Sequence, residues 1–110
     1  MNSKQKGKRG ELEFAQYLSA QDLPARRGQQ FRGGGDSPDV VCKALPTIHF
    51  EVKRTERLGL TAALEQAVND AAPGKVPVVA HKKNRGFWIA ILPMNDLLGL
   101  IRDQVQGFRR

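Results

Sequence analysis

The chain has 110 residues, 40% hydrophobic and 26% charged, enough for one domain built on a single core. Eighteen lysines and arginines against eleven acids leave a formal charge of +7 and a pI near 10.1, which points to a polyanionic partner, nucleic acid first. A single cysteine, Cys42, excludes an internal disulfide or a cysteine-built zinc cluster; no apolar run reaches the ~20 residues of a membrane span, and the charged N-terminus lacks a signal-type apolar segment, so a reducing, cytoplasmic setting is expected.

Residues 1–10 carry Lys4, Lys6, Lys8 and Arg9 between Gly7 and Gly10, and read as a frayed basic start. A helix is expected from there to about Asp22. At 100° per residue, Leu12, Phe14, Ala15 and Leu18 form one apolar arc, with Glu11 in its middle and Glu13 and Gln16 opposite. A carboxylate facing a core needs a partner. Glu11 is either an acid favoured by the dipole of a first turn or a third acidic group aimed at the acidic strand edge described below. The arc favours the second reading. Pro24 ends the helix, and residues 25–32, with Arg26, Arg27 and Arg32, read as a basic first strand. The three glycines at 33–35 suggest a mobile loop near which a phosphate backbone could come close. No Gly-Lys-Ser/Thr follows them, so they form no P-loop.

The chain is organised around residues 36–53. Two β-type runs, Asp39-Val40-Val41 and Thr47 to Lys53, flank a break at residues 43–46. Alternation puts Ile48, Phe50 and Val52 on one face of the second run and His49, Glu51 and Lys53 on the other. A hairpin of this length brings Asp39 beside Glu51. Asp36 is the rival acid, but Pro38 keeps Ser37 extended and leaves Asp39 better placed to open a strand. Cys42 reads as a small buried hydrophobe.

Residues 54–60 read as a polar connection. A second helix is expected from Thr61, as N-cap, to Ala72, with Leu64, Val68, Ala71 and Ala72 facing the core and Pro73-Gly74 stopping it. Gln66 lies off that face between small neighbours, with room to reach something. A fourth strand spans 76–81, a basic turn holds Lys82, Lys83 and Arg85, and a fifth strand spans 87–91. The last helix begins near Pro93. Its stripe is Met94, Leu97, Leu98, Ile101 and Val105, with Leu100 off the stripe as a candidate subunit contact.

Two carboxylates and an ammonium at one strand edge suit a divalent metal and a phosphate. Phosphodiester hydrolysis needs a deprotonated water, a polarised phosphoryl oxygen and a stabilised leaving oxygen. Magnesium takes hard oxygen ligands and keeps several waters. His49 and His81 lack ligand spacing, and His49 reads as an ordinary strand histidine on the face of Glu51. Lys4, Lys6, Lys8, Arg9, Arg26, Arg27, Arg32, Lys82, Lys83 and Arg85 are the candidate contacts to a nucleic-acid backbone.

At Pro38-Asp39 and Glu51-Val52-Lys53 the sequence resembles the PD-(D/E)xK nuclease superfamily. The lead-in Gly7-Lys8-Arg9-Gly10-Glu11-Leu12-Glu13 is similar to the start of the archaeal-type Holliday junction resolvases and their phage relatives. The resemblance covers most of the chain and implies an α/β fold, a mixed central five-stranded sheet flanked by helices. It implies that Asp39, Glu51 and the Val52 carbonyl hold magnesium, with manganese able to substitute, and that Glu11 is an additional ligand, direct or through water. Lys53 would orient the attacking water and stabilise developing charge, and Gln66 would match the family's helix glutamine near the site. The glycine loop departs from the Gly-Ser-Gly type of stretch found in resolvases. The implied activity is a homodimeric endodeoxyribonuclease acting on four-way junctions in DNA recombination and repair, in a bacterial or phage-infected cell. A related nuclease with other DNA substrates and a non-catalytic DNA-binding module are the alternatives, and intact Asp39, Glu51 and Lys53 weigh against the second.

Overall fold

The computed structural model describes residues 3–28 and 37–108. The elements are α1 (Ser3–Ala20), β1 (Ala25–Arg27), β2 (Val40–Cys42), β3 (Ile48–Arg54), α2 (Leu60–Asp70), β4 (Val76–Lys82), β5 (Ile89–Ile91) and α3 (Met94–Phe108). They form an α/β fold with one mixed five-stranded sheet, in chain order β1-β2-β3-β4-β5. Only β3 and β4 are parallel, and α2 is the crossover between them.

The two faces of β3 are covered by different helices. On one face Phe14 of α1 meets Phe50 edge-on at 5.1 Å between ring centroids, and Trp88 at 4.9 Å. Phe14, Ala15, Leu18, Val40, Cys42, Phe50, Val78 and Ala80 make this core. On the other face Ala63 and Ala67 of α2 bring that helix down on Val79. The middle of β3 is therefore shielded from both sides, and its polar residues His49 and Glu51 are buried.

Several boundaries differ from expectation. The basic start is helical from Ser3, so Glu11 lies in the third turn of α1 and is no first-turn acid. The helix ends at Ala20 in a Schellman pattern: Asp22 takes φ 64°, Asp22 N–H bonds Ser19 O and Leu23 N–H bonds Leu18 O. Leu12 is exposed, although Phe14, Ala15 and Leu18 are buried as the arc required. In α2 the buried pair is Ala63 and Ala67, while Val68 is exposed, because two alanines one turn apart permit the close approach to β4. Gly59, not Thr61, is the N-cap, without a side-chain cap bond. Arg54 belongs to β3 rather than to the connection after it. β5 is only three residues long, with Phe87 exposed before it. The apolar stripe of α3 faces outward, Leu100 is only half-buried, and Phe108 closes the helix rather than belonging to a tail. Asp36, Arg32 and the three glycines lie outside the described residues. No described helix is long and apolar enough to cross a membrane.

Candidate metal and phosphodiester site

β2 and β3 bring Asp39 and Glu51 together. Val40 pairs with Phe50, and Asp39 N–H bonds Phe50 O at 2.8 Å, so Asp39 stands across from Glu51 on the neighbouring strand. Its carboxyl group is hydrogen-bonded to that of Glu51 and accepts the Val52 backbone N–H at 2.8 Å through Oδ2. Gly28 holds this corner: its N–H bonds Asp39 O at 2.8 Å, and a Cβ there would sit 2.0 Å from Pro38 O.

Burial chiefly, then the negative charge of Glu51, pushes the Asp39 carboxyl up to about 7 from 3.8. The Val52 N–H opposes the rise, the hydrogen bond to Glu51 adds to it, and the more weakly felt charge of Glu11 adds the least. Two buried carboxyl groups in contact share a proton until a cation replaces it. That is the physical fit test for a divalent ion, and the pair meets it with hard oxygen donors.

Glu51 has a second partner. His49 Nε2 lies 2.8 Å from Glu51 Oε1, both side chains nearly inaccessible at 3% and 6% exposure. His49 is thus no ordinary strand histidine. The signal was in the sequence: a histidine two residues before a strand carboxylate shares its face. Lys53, one further step along that face, donates to Gln66 Oε1 of α2 at 3.3 Å. Spacing alone favours an ordinary exposed glutamine; the side chain instead reaches across to β3.

Glu11 is turned toward the same strands but is engaged differently. Arg27 Nε donates to Glu11 Oε1 at 2.9 Å. Its carboxylate is half-buried against β1, on the α1 side of the sheet, with a guanidinium as the partner that burial demanded. Among the described residues no group of three His, Cys, Asp or Glu side chains is arranged to hold a metal ion. The acidic pair therefore stands without Glu11 as a third ligand in this geometry.

The cationic candidates separate into three groups. Lys8 and Arg9 on α1, Arg26 on β1 and Lys83 and Arg85 on the β4–β5 turn are exposed. Arg27 and Lys82 are not free surface cations: Arg27 pairs with Glu11, and Lys82 Nζ lies 3.5 Å from Glu13 Oε2. The side chains of Lys4 and Lys6, like Arg32, are outside the described set. Glu13 is also bound by Arg54 Nε at 3.0 Å while its side chain stays 40% exposed. Beside this network Arg9, Gly10, Glu13, Arg54, Thr55, Glu56 and Asn84 line a cleft of about 300 Å³. Sequence reading missed the Arg54–Glu13 pair because its members lie 41 residues apart.

No family model, no curated protein and no solved structure matches the chain.

Proposed function

We propose that this chain is a magnesium-dependent structure-selective endodeoxyribonuclease of the PD-(D/E)xK type, hydrolysing phosphodiester bonds in branched DNA such as four-way junctions. The observation that carries the reading is the Asp39–Glu51 pair, buried on adjacent strands, with Asp39 pushed up to about 7 and Lys53 following on the same face. A divalent ion bound there would supply Lewis-acid charge to the phosphoryl oxygens and to the attacking water.

Each residue then has a task. Asp39 and Glu51 would hold the cation through their oxygens once their shared proton is lost, and the resemblance adds the Val52 carbonyl as a further ligand. His49 holds Glu51 Oε1 in place. Gln66 accepts one hydrogen from the Lys53 ammonium, so the remaining two stay available to orient water and to meet charge that develops on the phosphate. Glu11 acts through charge: it braces Arg27 and lends negative potential to Asp39. Exposed Lys8, Arg9, Arg26, Lys83 and Arg85 grip the DNA backbone. A reducing cytoplasmic setting in a bacterial or phage-infected cell accords with one buried thiol and a strongly basic chain.

The test is incubation of the purified chain with end-labelled four-way junction, linear duplex and single strand, with magnesium and with chelator. The reading predicts magnesium-dependent nicking of the junction in preference to the other two. Junction binding without cleavage under any divalent ion would leave a non-catalytic DNA-binding module in its place.

A further inference from the structure

Phe87, where the β4–β5 turn leads into β5, is 79% exposed, the most exposed of the described large apolar side chains. Its neighbour Trp88 turns inward against Phe14 of α1, so Phe87 is left outside that core. A lone exposed apolar side chain is ordinary on most surfaces. This one closes the run Lys82-Lys83-Asn84-Arg85-Gly86, in which Lys83 and Arg85 are exposed as well and no acid intervenes.

The turn is held in place. Gly86 N–H bonds Lys83 O at 3.0 Å, and Arg85 takes φ 61°. Asn84 is gripped twice: its N–H donates to Glu56 Oε1 at 2.7 Å, and its Oδ1 accepts from Arg54 Nη1 at 3.1 Å. Arg54 ends β3, the strand of Glu51 and Lys53, so the turn is tied to the strand that carries the acidic pair. Strand register sets the distance between them. Lys53 pairs with His81, and His81 pairs with Ile89, two residues after Phe87. Two strand spacings are about 10 Å, roughly three base steps along one DNA strand. A strand lying over the acidic pair can therefore reach this turn.

A bare aromatic ring on a cationic turn suits a nucleobase together with its phosphates. The ring offers a face on which any base can stack, and the cations meet the backbone. In continuous duplex each base face is already covered by its neighbours, so the base concerned is an unpaired one. A lipid surface suits the turn less, because one ring is little apolar area beside the whole face that a membrane-lying helix buries. We propose that Phe87 stacks on an unpaired nucleobase of bound DNA, with Lys83 and Arg85 on the flanking phosphates. The stacking rests on the nucleic-acid part of the function above and not on its chemistry. Because the turn is pinned before DNA arrives, little ordering is lost on binding.

The experiment is fluorescence anisotropy of the full chain, in chelator so that no strand is cut, on three labelled duplexes. One carries a short bulge of unpaired bases, one carries the same bulge with abasic residues, and one has no bulge. Phe87→Ala should bind the base-bearing bulge between about fivefold and a hundredfold more weakly than wild type, and the other two equally well. Phe87→Trp should keep the affinity and Phe87→Leu should not, since leucine has no π-face. The salt dependence should be unchanged in Phe87→Ala and flatter in Lys83→Ala. Melting temperatures should match wild type, as the Phe87 side chain is exposed. Salt-dependent DNA binding with Phe87→Ala equal to wild type on the base-bearing bulge overturns the stacking and leaves the nuclease reading standing. Absence of binding to any DNA overturns both. Full affinity in Phe87→Leu, an equal loss on all three duplexes, or a Phe87 requirement seen only on anionic phospholipid vesicles would also overturn the stacking.

Discussion

At the scale of single residues the account turns on one proton. The Asp39 carboxyl titrates near 7 in the folded chain and near 3.8 when unfolded. The folded state thus binds the proton more tightly, and this contribution to stability is complete below about pH 4. It is lost as pH rises through about 7, worth a few kcal/mol at most. Asp39→Asn removes that penalty while it can still accept the Val52 N–H, so its melting temperature should exceed that of the metal-free wild type at pH 8 and equal it near pH 4. A thermal melt series across pH checks this. Added magnesium competes for the same oxygens, so its affinity should climb with pH through about 7; calorimetry that finds it flat would contradict the shared-proton picture. His49→Ala should weaken divalent binding several-fold in the same titration, because Glu51 loses its brace. The common face of Glu51 and Lys53 was legible in the sequence, since strand alternation fixes a face from local order alone, and the hairpin length put Asp39 beside Glu51; Gln66, on a helix, entered only through the resemblance. The partners of Glu11 and Glu13 were not legible: periodicity places a side chain on a helix face but does not say which cation of a distant strand meets it. Glu11→Gln and Glu13→Gln should both cost stability, as each leaves a partly buried guanidinium without its carboxylate.

Elements obey a different logic, in which close approach decides. Gly10 lets α1 lie against β3: a Cβ there would stand 2.7 Å from the Arg54 Cβ, with Val52 close behind. Gly10→Ala should destabilise the fold by about 1–3 kcal/mol despite the better helix propensity of alanine, measured by denaturant unfolding. Gly7→Ala, which meets no atom within 4 Å, is the matched control and should be neutral or stabilising. The five strands and three helices were readable because turn residues and periodicity mark them, whereas the mixed sheet was implied by the resemblance alone. The α3 stripe shows the limit of that method. Its periodicity announces a buried face and is silent about whether the same chain or another one buries it.

For the whole molecule, charge sets the mode of substrate binding. Junction affinity should fall steeply with salt, by about one unit of log–log slope for each phosphate contact. Charge-removing variants of Arg9 or Lys83 should flatten that slope, whereas Lys82, already held by Glu13, should matter less. A salt-independent affinity would contradict the nucleic-acid reading. The central claim is that the Asp39–Glu51 pair is a cation site that hydrolyses phosphodiesters, and cleavage itself tests it most directly. Nicking of a labelled four-way junction is to be followed for wild type, Asp39→Asn and Glu51→Gln over a magnesium titration, with binding measured in parallel. The account predicts saturable, magnesium-dependent cleavage by wild type and none by either variant, with junction binding retained by all three. Full cleavage by Asp39→Asn or Glu51→Gln, or a wild type that binds the junction and never cuts it, would contradict it.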